Sequence, residues 1–140
     1  MSIFHKLKKQ HLDRPLFVLA PMADVTDVAF RTVIQEAGGC DVLWTEFVSA
    51  DGLIRATEEG KKKLMKDLEY DESERPIVAQ LFSSNPEYME QACRLVTELG
   101  FDGIDINMGC PVQKALRHNY GVALMGDADY AAQVVRMTVE

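Results

Sequence analysis

The chain has 140 residues, of which 47% are hydrophobic and 26% are charged, and its formal net charge is -7 at pH 7. This length suits one domain with a modest core, and the composition is ordinary for a globular protein. The excess of acid argues against a surface that holds nucleic acid by bulk electrostatic attraction, although residues 114–118 are locally basic.

The sequence also allows a prediction of the cellular compartment and of whether a metal is bound. No stretch approaches the 18 or more apolar residues of a membrane span, and the N-terminal segment MSIFHKLKKQHLDRP lacks a secretory signal pattern. Cys40, Cys93 and Cys110 are odd in number and do not have the spacing of zinc ligands. We therefore expect a cytoplasmic protein without a membrane span, a disulfide framework or a metal site.

The predicted elements repeat one theme: a short apolar run, a polar loop and an amphipathic helix. Residues 16–20 (LFVLA) are typical of a strand that is buried on both faces. Thr26 or Asp27 can cap the helix that follows, and Gly38-Gly39 ends it. The apolar face of this helix is predicted to consist of Phe30, Val33, Ile34 and Ala37.

The second and third units follow the same order. Residues 41–47 are the second predicted strand, and the charged region 52–75 is expected to contain a helix near 57–66. Residues 76–82 are the third strand, after which Asn85 caps a helix that begins with proline. The buried stripe of that helix is predicted to be Met89, Ala92, Cys93 and Val96.

The fourth unit begins with the strand GIDIN (103–107), a Met-Gly-Cys-Pro turn and a polar, basic loop of about a dozen residues. Asp127 opens the last helix, whose predicted apolar face is Ala131, Val134, Val135 and Thr138. Four β-α units predict an α/β fold with a parallel sheet and right-handed crossovers. They make up half of a (β/α)8 barrel, while no dinucleotide-binding or P-loop glycine motif follows the first strand.

Cys110 is the most informative candidate residue, because it lies between a glycine and a proline at a strand end. A free thiol is mostly protonated at neutral pH, so it could act as a general acid, or as a nucleophile if a base or helix N-terminus activated it. The alternative is a small hydrophobic residue in a tight turn. Cys40 and Cys93 are interpreted as packing residues.

Other polar residues also follow or interrupt the strands. Asn107 suits the edge of a planar ring or a turn, and the buried Gln80 must find a ligand or a backbone partner. Asp105 could point into a barrel interior or brace a loop. Lys114 and Arg117 suit a phosphate or polyanion, although loop cations are often only solvated.

One segment and one further residue complete the set of candidates. Residues 20–22 (APM) end the first predicted strand without an ionisable group, which is compatible with a flat cofactor on the backbone. Glu46 could orient a ligand or cap a loop. None of these residues decides the function by itself.

Taken together, four stretches resemble the flavin-dependent tRNA-dihydrouridine synthases. They are LAPMADVTDVAFR (19–31), TEFVSADGL (45–53), VAQLFSSNP (78–86) and GIDINMGCPVQKALRHNYGVALM (103–125), in the order of that family. The resemblance implies an FMN-containing TIM barrel that reduces the C5–C6 double bond of uridines in tRNA to 5,6-dihydrouridine. It further implies NADPH as the reductant and tRNA as the partner.

The same resemblance implies roles for individual residues. Cys110 would protonate C5 of a flipped-out uracil as the general acid, after hydride reaches C6 from the reduced flavin. The implied cofactor contacts are Pro21, Met22 and Gln80, and the implied substrate contacts are Asn107, Lys114 and Arg117. Asn119 replaces the first glycine of a Gly-x-Gly pattern, at a position where asparagine tolerates a left-handed backbone.

Residues 1–140 correspond in this resemblance to the N-terminal half of the TIM-barrel catalytic domain, without the C-terminal half and the helical tRNA-binding domain. The open sheet edges of such a half-barrel predict that the isolated chain self-associates. One alternative is a non-catalytic half-barrel that pairs with a second copy. Another is an FMN barrel that acts on free pyrimidines, as dihydroorotate and dihydropyrimidine dehydrogenases do; the motif NMGCP followed by Lys114 favours the tRNA enzyme.

Overall fold

The computed structural model of the chain describes residues 3–10 and 13–139. The helices in this part are α1 (Ile3–Gln10), α2 (Val28–Glu36), α3 (Ala50–Arg55), α4 (Glu58–Lys66), α5 (Pro86–Glu98), α6 (Gln113–Arg117) and α7 (Ala128–Val139). The strands are β1 (Leu43–Ser49), β2 (Ile77–Phe82) and β3 (Gly103–Ile106), and short 3-10 helices cover Glu72–Glu74 and Gly121–Gly126. None of the described helices has both the length and the apolarity needed to cross a membrane.

The three strands form one parallel sheet in the order β1-β2-β3. Helices α3 and α4 connect β1 to β2, and α5 connects β2 to β3, so the fold is α/β as predicted. The second, third and fourth predicted strands are confirmed, each within two residues of the observed bounds. In the register of the sheet, Gln80 lies opposite Asp105.

The core lies between the sheet and the helices α3, α5 and α7. The predicted stripe of α5 is confirmed, since Met89, Ala92, Cys93 and Val96 are all buried. Val134 of α7 is fully buried in the same cluster. Because β2 is the central strand and is covered on both sides, its residues Ile77–Leu81 are all buried.

The prediction of a buried first strand is wrong. Residues 16–20 make a single parallel bridge, between Val18 and Val42, supported by a hydrogen bond from the Leu19 N–H to the Val42 carbonyl (3.1 Å). Phe17 is 62% exposed and Val18 is 49% exposed. The run is only partly covered, since Leu16 and Leu19 are half-buried and Leu16 packs against the buried cluster that contains Val42 and Val78. The prediction of four complete β-α units is therefore not confirmed.

The N-cap of α2 is confirmed, but its predicted apolar face is only partly buried: Phe30 and Ile34 are half-buried and Ala37 is exposed. Asp27 accepts a hydrogen bond from the Phe30 N–H (2.8 Å), whereas Val33 is 61% exposed. The buried residue of this helix is Arg31, whose Nε donates to Glu74 at 3.0 Å. Arg31 also donates to the Thr26 carbonyl (2.7 Å), so its burial is compensated by hydrogen bonds and an ion pair.

The remaining helices agree with the predictions in part. The helix expected near 57–66 is confirmed as α4, while α3 lies in a region for which no helix was predicted. Asp127 caps α7 as predicted, accepting a hydrogen bond from the Tyr130 N–H (3.0 Å), but Val135 on its predicted apolar face is 40% exposed. The loop predicted after Cys110 contains α6 and the second 3-10 helix instead of a continuous irregular segment.

Candidate active site

Hydrogen bonds join side chains from all three strands of the sheet and lead to Asn107, beyond the carboxyl end of β3. The indole Nε1 of Trp44 in β1 donates to Asp105 Oδ2 in β3 (3.2 Å), and Gln80 Nε2 in β2 donates to the same oxygen (2.6 Å). Asn107, which follows β3, donates from Nδ2 to Gln80 Oε1 (2.9 Å). The structure thus brings together Gln80, Asp105 and Asn107.

The donors and acceptors of this network can be assigned from its two ends, the Asp105 carboxylate and the backbone N–H groups of Gly109 and Cys110. Asp105 accepts, so the amide nitrogen of Gln80 must face it and the Gln80 oxygen must face Asn107. The Asn107 oxygen then accepts from the backbone N–H groups of Gly109 (3.2 Å) and Cys110 (3.0 Å). Among the described residues, each of the two amide groups uses one of its two N–H donors, so Gln80 and Asn107 each keep one donor for a ligand.

The turn that carries Cys110 is held from both sides. Opposite the bonds from Asn107, the Val122 N–H donates to the Cys110 carbonyl (3.1 Å). Gly121 lies against the same carbonyl with φ +59°, and a Cβ at this position would come within 2.7 Å of the Cys110 oxygen. Asn119 has φ 54°, the left-handed conformation that asparagine was expected to tolerate. The Cys110 thiol is free and half-buried.

Pro21 and Met22 lie in a separate part of the site. Met22 donates its N–H to Thr26 Oγ1 (3.0 Å), and the Thr26 hydroxyl donates back to the Met22 carbonyl (3.1 Å). Glu46 accepts a hydrogen bond from the Asp24 N–H (2.5 Å), so this carboxylate braces the loop after residues 20–22. The described contacts do not link Pro21 or Met22 to Gln80 or Cys110.

The two predicted substrate cations are on α6, just beyond Cys110. Lys114 and Arg117 are exposed, and neither makes an ion pair with another described residue. Sequence reasoning missed Tyr120, whose ring lies 4.6 Å from that of Phe82, between ring centroids. Burial and the nearby Cys110 raise the pKa of the Tyr120 hydroxyl above its usual value. An aromatic residue in a polar loop was the one available signal for this position.

The fold and the site define a class: an α/β protein with polar donors and one thiol at the carboxyl end of a parallel sheet, where such folds bind ligands. Comparison with known families narrows this class. Residues 18–140 match the family model described as dihydrouridine synthase (Dus). The chain belongs to the dihydrouridine synthase family, which confirms the resemblance found in the sequence.

Individual relatives agree with this membership. The chain is 42% identical over 127 residues to "Probable tRNA-dihydrouridine synthase 2" of Bacillus subtilis (strain 168). It is 39% identical over 127 residues to "Probable tRNA-dihydrouridine synthase" of Staphylococcus aureus (strain COL). Each match covers 91% of this chain and 38% of the relative, so the chain spans well under half the length of these proteins.

Proposed function

We propose that this chain takes part in the reduction of uridine in tRNA to 5,6-dihydrouridine, with Cys110 as the general acid. The observation that carries the proposal is the hydrogen-bonded path from Asp105 through Gln80 and Asn107 to the backbone of Cys110. The family and the names of the relatives support the same reaction. We further propose that residues 1–140 correspond to the N-terminal half of a TIM barrel and act in the cytoplasm.

The residues of the site fit a flavin. The spare N–H donor of Gln80 suits a carbonyl oxygen of the flavin ring, and Pro21 and Met22 offer a surface without ionisable groups. The spare N–H donor of Asn107 suits a carbonyl oxygen of the uracil. When bound, FMN supplies the hydride for C6 of the uracil, with NADPH as its reductant. Gln80 would hold the ring of the cofactor, and Asn107, which hydrogen-bonds both Gln80 and the Cys110 backbone, would contact the substrate.

The role of Cys110 follows from where the network holds it. The thiol is half-buried at the end of a fixed turn, so it can reach C5 of a uracil that has left the base stack. There the thiol delivers the proton that completes reduction of the double bond. Lys114 and Arg117, exposed on the helix that follows, are suited to the phosphates of the tRNA strand.

The test replaces Cys110 by alanine and compares this variant with one in which a cysteine outside the site is replaced. In the flavin-loaded protein supplied with NADPH and tRNA, Cys110→Ala is expected to keep its flavin and to lose about 100-fold or more of its dihydrouridine formation. Cys40→Ala is the matched control, because Cys40 lies at a helix–strand junction, and it should retain both properties. Dihydrouridine is measured by mass spectrometry of nucleosides after digestion of the tRNA.

Two results would contradict the proposal. Full dihydrouridine formation by Cys110→Ala would remove the general-acid role. Reduction of free uracil or orotate in the absence of tRNA would instead favour an enzyme that acts on free pyrimidines.

A further inference from the structure

A buried polar cluster connects α2 to the loop that follows Met22, and the proposed reaction gives it no role. This Arg31 cluster consists of Thr26, Arg31 and Glu74, each of which has 0% of its surface exposed. Arg31 Nε donates to Glu74 Oε2 (3.0 Å), Nη1 donates to the Thr26 carbonyl (2.7 Å), and Nη2 donates to the Glu69 carbonyl (2.6 Å). The guanidinium thus joins the start of α2 to the segment that precedes β2.

Stability alone does not account for the Arg31 cluster. A buried ion pair often contributes no more than an apolar pair of similar volume, because the cost of removing two charges from water offsets their attraction. Glu74 Oε1 is buried and receives no hydrogen bond from any described residue, so the desolvation of this carboxylate is only partly compensated. What the planar guanidinium does supply is a fixed geometry for the backbone groups that it binds.

Thr26 extends this fixed geometry to Met22. The Met22 N–H donates to Thr26 Oγ1 (3.0 Å), while the hydroxyl and the N–H of Thr26 both donate to the Met22 carbonyl (3.1 and 3.0 Å). Both backbone polar groups of Met22 are therefore held by one buried residue, whose own carbonyl is held by Arg31. The Met22 side chain is 39% exposed, so it can contact a ligand.

The loop after Met22 meets the sheet at the level of Gln80. Asp24, in the left-handed conformation with φ 57°, donates its N–H to Glu46 of β1 (2.5 Å). The next residue of β1, Phe47, lies opposite Gln80 in the register of the sheet. The loop and Gln80 are therefore held at one level of the sheet, on opposite sides of β1.

We propose that Thr26 and Arg31 are positioning residues, which fix the backbone of Pro21 and Met22 for the flavin without touching the flavin themselves. This rests on the proposed function, which makes Pro21 and Met22 contacts of the cofactor. Because the loop is ordered before FMN arrives, the free energy of ordering it is not subtracted from the affinity. Loss of the Arg31 cluster should therefore weaken FMN binding by a chain that is still folded.

The test removes and restores the Thr26 hydroxyl. Thr26→Val keeps the shape of the side chain but loses the hydroxyl bonds to Met22, so FMN should bind about tenfold more weakly. Thr26→Ser retains the hydroxyl and should bind FMN like the wild type. Thr32→Val is the matched control on α2, where the hydroxyl donates to the Val28 carbonyl (2.8 Å), and its affinity should not change.

Arg31→Lys tests the other end of the cluster. Lysine keeps a positive charge opposite Glu74, but one ammonium group cannot span the three acceptors that the guanidinium reaches. FMN binding should weaken about threefold or more. Quenching of flavin fluorescence measures the affinity of every variant without tRNA or NADPH, and urea denaturation measures its stability.

Wild-type FMN affinity in folded Thr26→Val and Arg31→Lys, with only the free energy of unfolding lowered, would overturn the proposal and leave the cluster a purely structural role. Failure of both variants to fold would overturn it in the same way. An equal loss of affinity in Thr32→Val, or no recovery in Thr26→Ser, would also contradict it.

Failure of the proposed function gives different results. Full dihydrouridine formation by Cys110→Ala refutes the general-acid role and leaves the positioning role intact. A wild-type chain that binds no FMN refutes the flavin site and the positioning role together.

Discussion

The three cysteines show how the same residue type acquires different properties from its surroundings. Cys93 is 5% exposed in the core, and burial raises the pKa of its thiol to about 11. Cys110 is half-buried on a turn whose backbone is held by Asn107 and Val122. Because the thiolate is the reactive form of cysteine, the core residue should be inert at a pH where an accessible thiol reacts.

Alkylation tests this difference. With iodoacetamide at pH 8, Cys93 is expected to remain unmodified in the folded chain, while Cys110 is modified. Cys93 should become reactive when the chain is unfolded in urea, or as the pH approaches the value near 11 to which its pKa is raised. Peptide mass spectrometry measures each site. Modification of Cys93 in the folded chain as fast as that of Cys110 would contradict the described burial.

For single residues, the sequence identified the residue types of the site but not the hydrogen bonds that join them. Gln80 stood out as a polar residue in an apolar strand, and Asn107 as a strand-end amide. Their connection through Asp105 depends on the pairing of β2 with β3, which places Gln80 opposite Asp105, and no local pattern specifies that register. Tyr120 was missed because a loop has no hydrophobic periodicity to read.

Among the elements, α5 was predicted well because its signals are local. Asn85 Oδ1 accepts from the backbone N–H groups of Glu87 (2.9 Å) and Tyr88 (3.2 Å), and a proline occupies the first turn. The burial of α2 was predicted poorly, because burial depends on what packs against a helix. Its one fully buried side chain is an arginine whose partner, Glu74, lies far along the chain.

The cap of α5 can be tested by a pair of substitutions. Asn85→Ala removes the acceptor of both N–H groups and should lower the free energy of unfolding by about 1 kcal/mol. Asn85→Asp retains a side-chain acceptor and should remain close to the wild type. Urea denaturation followed by circular dichroism measures both variants. Equal stability of Asn85→Ala and the wild type would show that the cap contributes nothing.

For the whole molecule, the exposed edges of the sheet are the dominant feature. β3 is an edge strand, and at the other edge the described part of the chain supplies only the single bridge of Val18. Phe17 and Val18 expose apolar surface at that edge. Exposed edges with apolar side chains favour pairing with another chain, so we propose that the isolated chain self-associates.

Phe17→Glu tests this proposal at the edge near β1. Because Phe17 is 62% exposed, the substitution should cost the fold little while it opposes association. Val135→Glu, at a 40% exposed position of α7, is the matched control and should associate like the wild type. Light scattering after size-exclusion chromatography gives the masses. A monomeric wild type at all concentrations would contradict the proposal, and an unchanged mass for Phe17→Glu would place the contact elsewhere.

The most direct test of the central claim, that the strand-end network is a flavin site, is size-exclusion chromatography of the chain with FMN, recorded at flavin wavelengths. We predict a discrete protein peak that carries FMN and loses it in Gln80→Met, which removes the amide from β2. Gln91→Met, exposed on α5, should keep the flavin. A folded, discrete peak without flavin, or equal flavin in Gln80→Met, would contradict the assignment of this site.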